Sequence, residues 1–374
     1  YSDCWVEDSR LVILNAVDAK KNGANILTHT KVINFSKKGK LWNVITKNNK
    51  GEIHEHFCKC IINASGPWVD NINEYVDLKD TYSTKLVKGS HLVVDKLFDH
   101  NLAFFLTGKD GRIIFIIPFQ DEFSLIGTTE VFHQNINSTP KCSEEEKKYL
   151  LNFINNYFSF NLKTDHIISS FSGVRPLYNK KNQNKKNMSS ITRDYVLNLE
   201  YIDDLPLLTI YGGKLTTFRK LSENVLLKLK SVFPKMGDDW TMKKPLPGGD
   251  FLINEKDKLI INLQKKYPFL DKNWANRLIK YYGTLSDQIF EFAVFNSSDL
   301  SEFEDEAIVI AALSEINSVQ DYCDVSRGNN NDDFVTLESP AYIPHDDASI
   351  KTVLFDCRLP WEDEMTQMRI HLRY

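Results

Sequence analysis

The chain has 374 residues, 42% of them hydrophobic and 12% aromatic, enough to bury a substantial core in about two domains and too apolar for a disordered polymer. Lys and Arg number 46 against 50 Asp and Glu, and the net charge of −4 argues against nucleic-acid binding as the main activity. No apolar run approaches the ~20 residues that span a bilayer, no signal-peptide pattern opens the chain, and the six cysteines are scattered as reduced cytosolic thiols would be.

In chain order, residues 7–22 predict an amphipathic helix, with Leu11, Val12, Leu14, Ala16, Val17 and Ala19 apolar and Asn22-Gly23 as the stop. ILTHT, KVINFS and LWNVITK predict short strands, the last two joined by a Lys37-Lys38-Gly39 turn, and HFCKCIINAS predicts one strand ending at Gly66-Pro67. Strand patterns dominate 85–130, broken by turns such as Gly108-Lys109-Asp110-Gly111. Residues 143–158 carry a helix start signal and helical spacing. HIISSFSGV, YVLNLE and LLTIYGG predict strands, and 215–233 a long helix with Leu221, Val225, Leu226 and Leu229 on one side. Pro245-Leu246-Pro247-Gly248-Gly249 reads as a linker. KLIINLQKKYPFL, WANRLIKYYG and an apolar segment at 306–316 predict helices beyond it. Asn317–Tyr374 has no helical period and is expected to be largely disordered.

The chemistry concentrates between Phe171 and Lys220. Arg175, Arg193 and Lys214 are cations placed where strand patterns meet turns, and arginine's planar fork suits phosphate and carboxylate oxygens. Gly212-Gly213 permits close backbone approach to a ligand. Thr216 and Thr217 follow at the start of a helix-like pattern, where backbone N–H groups are free. The layout is that of an anion-handling pocket. His91, in KGSHLVV, is a candidate general base because imidazole titrates near neutrality, although a buried, hydrogen-bonded core histidine is the competing reading. Thr128 and Thr129, in GTTE, would face opposite sides of a strand.

SGVRPL, ITRDY and GGKLTTFRK resemble the FAD-dependent, quinone-linked glycerol-3-phosphate dehydrogenases. YSDCWVEDSRL, INASGPWV, LVKGSHLVV, FIIPFQDEFSLIGTTE and LPGG agree with that family in order, from Tyr1 to about Phe290. The resemblance implies an α/β flavoprotein of the D-amino-acid-oxidase-like type. In it, a mixed sheet covers the substrate over the flavin, and a smaller α-helical C-terminal domain follows. The expected boundaries are 1–240 for the FAD/substrate domain, 241–300 for the start of the helical domain and 301–374 for a divergent tail. The family's opening strand–GxGxxG–helix unit is not found, so the chain is expected to lack an N-terminal portion.

The same resemblance implies oxidation of sn-glycerol 3-phosphate to dihydroxyacetone phosphate. His91, Arg175 and Lys214 would be catalytic, and Arg175, Arg193, Thr128 and His91 would hold substrate. Arg175 would bind the phosphate or the hydroxyl being oxidised, and it rivals His91 for activating that hydroxyl. Ala64, Ser65, Gly66, Gly212, Gly213, Lys214, Leu215, Thr216 and Val32 would contact FAD, with Lys214 beside the flavin. Ubiquinone, a peripheral cytoplasmic or mitochondrial membrane surface and a homodimer are the further partners implied. Two other readings stand beside this one: a non-catalytic remnant of such an enzyme, and a related amine or amino-acid oxidase. His54, His56, Cys58 and Cys60 alternate along one strand pattern, but same-face strand positions spread too far to converge on zinc, so no metal site is expected.

Overall fold

The structure is a computed structural model that describes residues 6–76, 78, 82–109, 111–120, 122–180, 194–290 and 351–353. The first elements are α1 (Asp8–Lys21), β1 (Ala24–Ile26), β2 (Thr30–Lys38), β3 (Leu41–Asn48), β4 (Ile53–Cys58), β5 (Ile61–Asn63) and α2 (Val69–Asn73). Then come β6 (Tyr82–Asp95), β7 (Phe104–Thr107), β8 (Ile113–Phe119), β9 (Phe123–Gly127), β10 (Val131–Phe132) and α3 (Glu144–Tyr157). β11 (Ile167–Lys180), β12 (Val196–Ile202), β13 (Leu205–Tyr211), α4 (Phe218–Lys228), α5 (Lys256–Lys266), α6 (Lys272–Tyr282) and β14 (Lys351–Val353) complete the order. By contacts the chain divides into two compact units, one holding residues 29–237 and one that groups the described residues before 29 with 238–290 and 351–353. Residues 6–28 thus group with the C-terminal part rather than with 29–237.

Among the described residues, the unit of residues 29–237 holds three sheets. The largest runs β10-β6-β9-β8-β7, with β11 also paired to β6. β11 pairs antiparallel along almost the whole of β6, from Ile167↔Val94 to Lys180↔Tyr82. β9 takes residues 91–95 of β6, and β10 takes Val87 and Lys88. One face of this sheet packs on α3, where Leu92, Val94, Ile114, Ile116 and Ile126 meet Leu150, Leu151, Phe153 and Ile154. Each such side chain, taken fully out of water, contributes about 1.5–3 kcal/mol. α3 begins where its sequence signal lies: Glu146 N donates to Ser143 Oγ at 3.3 Å and Ser143 N donates to Glu146 Oε2 at 2.9 Å, a reciprocal cap.

The predicted strand HFCKCIINAS divides into β4 and β5, which belong to different sheets. β4 closes the antiparallel β2-β3-β4 sheet, with Cys58 opposite Trp42. β5 runs parallel to β13, with Ile61 opposite Leu207. ILTHT is not one strand: Ile26 ends β1, Thr30 opens β2, and His29 has φ of 49° at the turn between them. The helix expected over 215–233 is shorter: a 3₁₀ turn over Leu215–Thr217 leads into α4, which ends by Leu229.

In the second unit, α5 and α6 bury Ile260, Leu263, Ala275 and Ile279 together with Tyr267 and Phe290. α1 packs there through Arg10 Nε, which donates to the Tyr281 carbonyl at 2.9 Å, and Glu7 Oε1, which accepts from the Tyr281 hydroxyl at 2.9 Å. β1 pairs parallel with β14. The segment 306–316 and nearly all of Asn317–Tyr374 lie outside the described residues.

Candidate functional site

The face of the large sheet opposite α3 carries the candidate chemistry. Directly paired residues of antiparallel strands share a face. His91 on β6 pairs with Phe171 on β11 and Gly127 on β9, Gly127 pairs with Phe115, and Gly89 pairs with Gly173. The His91 and Phe171 rings stack, with centroids 5.1 Å apart and planes 15° from parallel. A Cβ on Gly127 would stand only 2.7 Å from His91 Cγ. A Cβ on Gly89 would stand 2.5 Å from both Arg175 Nη2 and Thr128 Oγ1. Two glycines therefore vacate the space that the imidazole and the guanidinium fill.

Arg175 Nη2 donates to Thr128 Oγ1 at 2.9 Å, and Nη1 lies 3.6 Å from Glu130 Oε1. Burial, with the nearby Arg175 charge second, pushes the His91 imidazole down to about 4. The ring is therefore held in its uncharged form at neutral pH.

Behind this face sits a buried polar network. Glu146 Oε1 accepts from Thr129 Oγ1 at 2.6 Å and from Ser90 Oγ at 2.9 Å, while Lys88 Nζ lies 2.7 Å from Oε2. Ser90 N donates to Thr129 Oγ1 at 2.9 Å, and the Ser90 and Ser172 hydroxyls are 2.7 Å apart. Burial pushes the Glu146 carboxyl up, but the contacts from Lys88, Ser143 N–H, Thr129 and Ser90 outweigh it and hold the group below its ordinary range. Thr129 points into this network and Thr128 to Arg175, so the adjacent threonines serve opposite faces.

Except for Val32, the residues expected to touch FAD lie at the carboxyl ends of two parallel strands, where open sheets characteristically receive ligands. Ala64, Ser65 and Gly66 follow β5, and Gly212 to Thr216 follow β13. One hydrogen-bond cluster ties the two ends. Asn63 Nδ2 donates to Asn73 Oδ1 at 2.9 Å, Thr209 Oγ1 donates to the same oxygen at 3.2 Å, and Asn73 Nδ2 donates to the Tyr211 hydroxyl at 3.0 Å. Ser65 Oγ donates to Asn63 Oδ1 at 2.6 Å. Gly213, at φ of 109°, turns the chain in a way only glycine accepts readily. Beyond it Lys214, Leu215 and Thr216 are exposed, and the backbone enters a 3₁₀ turn. A Cβ on Gly212 would lie 3.7 Å from the carbonyl of Pro176, the residue after Arg175, so the β13 turn adjoins the Arg175 strand. Small residues, an exposed cation and an open backbone turn fit a flat ring system that gains negative charge on reduction.

The structure thus gathers His91, Thr128 and Arg175 on one face, and it sets 64–66 beside 212–216 on another pair of strand ends. Arg193 lies outside the described residues. Val32 sits on β2 beside a bulge between Val32 and Asn34, in the β2-β3-β4 sheet. Among the described residues no group of His, Cys, Asp or Glu side chains is arranged to hold a metal ion, and His56 Nε2 is 2.9 Å from Thr46 Oγ1. Sequence reasoning missed Glu130, Gly89, Gly127 and Glu146. No strand signal could have flagged Glu130, since residues 128–130 follow the end of β9.

Residues 1–219 match the family described as FAD dependent oxidoreductase (DAO), and the chain belongs to that family. It is 40% identical over 291 residues to D-erythritol 1-phosphate dehydrogenase of Brucella abortus (strain 2308), which covers 77% of this chain and 57% of that protein. It is 37% identical over 305 residues to aerobic glycerol-3-phosphate dehydrogenase of Escherichia coli (strain K12), which covers 81% of this chain and 60% of that protein. The crystal structure of the glycerol-3-phosphate dehydrogenase from Bacillus halodurans complexed with FAD superimposes with a TM-score of 0.68 at 27% identity, covering 83% of this chain and 60% of that one. The chain therefore spans a little under two thirds of the length of the curated relatives it matches. The mixed-sheet flavoprotein fold expected from the sequence agrees with these matches.

Proposed function

We propose that the chain is the substrate-binding and ring-binding part of an FAD-dependent dehydrogenase that oxidises sn-glycerol 3-phosphate to dihydroxyacetone phosphate. The observation that carries this reading is the pairing of a neutral imidazole, His91, with a guanidinium, Arg175, on a sheet face from which two glycine side chains are absent. The names of the relatives supply the substrate class.

Residues 64–66 and 212–216 would hold the FAD ring, whose chemistry when bound is to accept two electrons from the substrate carbon. His91 accepts the proton of the secondary hydroxyl. Arg175 and Thr128 orient that end of the molecule. Phe171 stacks on the imidazole and holds its plane. Lys214 and Arg193 supply positive charge for a phosphate dianion and for a reduced ring. Ubiquinone as final acceptor, attachment to a membrane surface and a homodimer belong to the same proposal. No helix among the described residues is long and apolar enough to cross a membrane.

A four-carbon polyol phosphate is the second reading, favoured by the 40% identity to the D-erythritol enzyme. Anaerobic addition of each phosphate to the full-length, FAD-loaded protein tests both. Bleaching of the oxidised-flavin absorbance by glycerol 3-phosphate supports the first reading, and bleaching by D-erythritol 1-phosphate alone supports the second. A spectrum unchanged by either supports the non-catalytic remnant instead.

A further inference from the structure

The Arg175 guanidinium does not face the open side of the sheet alone. Thr128 and Glu130 extend to the same side of their segment, while Thr129 between them turns the other way to Glu146. Arg175 contacts both, through Nη2 to Thr128 Oγ1 at 2.9 Å and Nη1 to Glu130 Oε1 at 3.6 Å. The Glu130 side chain is 20% exposed and that of Arg175 35%, so both are partly desolvated and both still reach the surface of the face.

A carboxylate so placed is a poor neighbour for a phosphate dianion. Like charges a few ångströms apart in a partly dry site repel strongly. It is a good neighbour for a hydroxyl, which donates to the carboxylate while accepting from the guanidinium. The pair offers one strong acceptor and one strong donor side by side, the complement of a polyol end rather than of a phosphate.

Building on the polyol-phosphate reading of the site, we propose that Glu130 is a specificity-determining residue: its carboxylate accepts a hydrogen bond from the substrate hydroxyl farthest from the phosphate. Arg175 then belongs to the hydroxyl end, and the phosphate lies toward the Lys214 turn. For glycerol 3-phosphate the hydroxyl read by Glu130 is the primary one on C1. For a four-carbon polyol phosphate it is the next along the chain.

The test compares glycerol 3-phosphate with the matching enantiomer of 2-hydroxypropyl phosphate, which lacks only the C1 hydroxyl, on the full-length FAD-loaded protein. The wild type should prefer glycerol 3-phosphate in kcat/KM by roughly 10- to 100-fold, the worth of one hydrogen bond to a charged group. Glu130→Ala should bring the two substrates within about threefold of each other, chiefly by lowering turnover of glycerol 3-phosphate. Glu130→Gln, which keeps the shape and a neutral acceptor, should lie between and replaces the alanine variant if that protein does not fold. A variant that slows both substrates equally, so that the preference survives, overturns the proposal and leaves the polyol-phosphate reading standing. A wild type that oxidises neither compound, nor D-erythritol 1-phosphate, overturns both.

Discussion

The His91 imidazole fills the space that a side chain on Gly127 would need. The two residues are directly paired across β6 and β9, and a Cβ on Gly127 would come within 2.8 Å of His91 Nε2 and closer still to the ring carbons. The ring is held on its other side by stacking on Phe171. Its position is thus set by an aromatic on one strand and by an absence on the next.

Gly127→Ala should displace the imidazole before it unfolds the sheet. Overpacking of this kind costs about 1–3 kcal/mol. The expected outcome is a loss of kcat/KM for the phosphate substrate larger than the fall in urea midpoint accounts for, with FAD absorbance retained. Steady-state kinetics and urea unfolding on the same preparations check it.

The depressed His91 group makes two pH predictions. Its folded value is about 4, against an ordinary 6.5. The neutral, proton-accepting form persists down to about pH 4, so the acid limb of kcat/KM should not inflect near 6.5 on account of this ring. Between these values the unfolded chain binds the proton and the folded chain does not, so stability falls as pH drops from 6.5 toward 4. His91→Gln should lose less stability than the wild type over that interval, which urea midpoints at pH 7 and pH 5 measure.

Glu146 is 5% exposed and pairs with Lys88 behind the site. Glu146→Ala leaves that ammonium without its partner and strips the acceptor from Ser90 and Thr129, and it should destabilise by about 3–5 kcal/mol. Because the carboxyl is held low, its contribution is present above about pH 4.5 and is lost as pH falls through the lower folded value. Glu146→Gln, which keeps an acceptor but not the charge, should lose less stability and show a weaker acid dependence in urea unfolding.

Asn73 joins the ends of β5 and β13 through Asn63, Thr209 and Tyr211. Asn73→Ala leaves buried hydrogen-bonding groups unpaired, which costs about 1–3 kcal/mol. It also loosens the two turns that would hold the ring. The full-length variant should purify with less flavin per chain than the wild type, read from the ratio of visible to protein absorbance.

Much of this was legible in the sequence. The Ser143 cap of α3 and the extent of α1 follow local signals that tertiary packing did not override, whereas β11 runs six residues past the expected HIISSFSGV, to Lys180, along its pairing with β6. Thr128 and Thr129 do turn to opposite sides, but they lie beyond the end of β9 at Gly127, so strand alternation is not the cause. The break between β4 and β5 was not legible. Nothing in Phe57-Cys58-Lys59-Cys60 marks a chain leaving one sheet for another, since the partner of β5 is β13, almost 150 residues later. Gly89 and Gly127 were invisible for a related reason. A glycine within a strand signals a close approach, but the side chain that fills the gap belongs to another strand and is known only once register is fixed.

The most direct measurement is kcat/KM for sn-glycerol 3-phosphate with the full-length, FAD-loaded protein and its Arg175→Ala variant. The account predicts a measurable wild-type activity and a loss of about 100- to 1,000-fold in the variant at unchanged flavin content. Equal activity of the two proteins would contradict it.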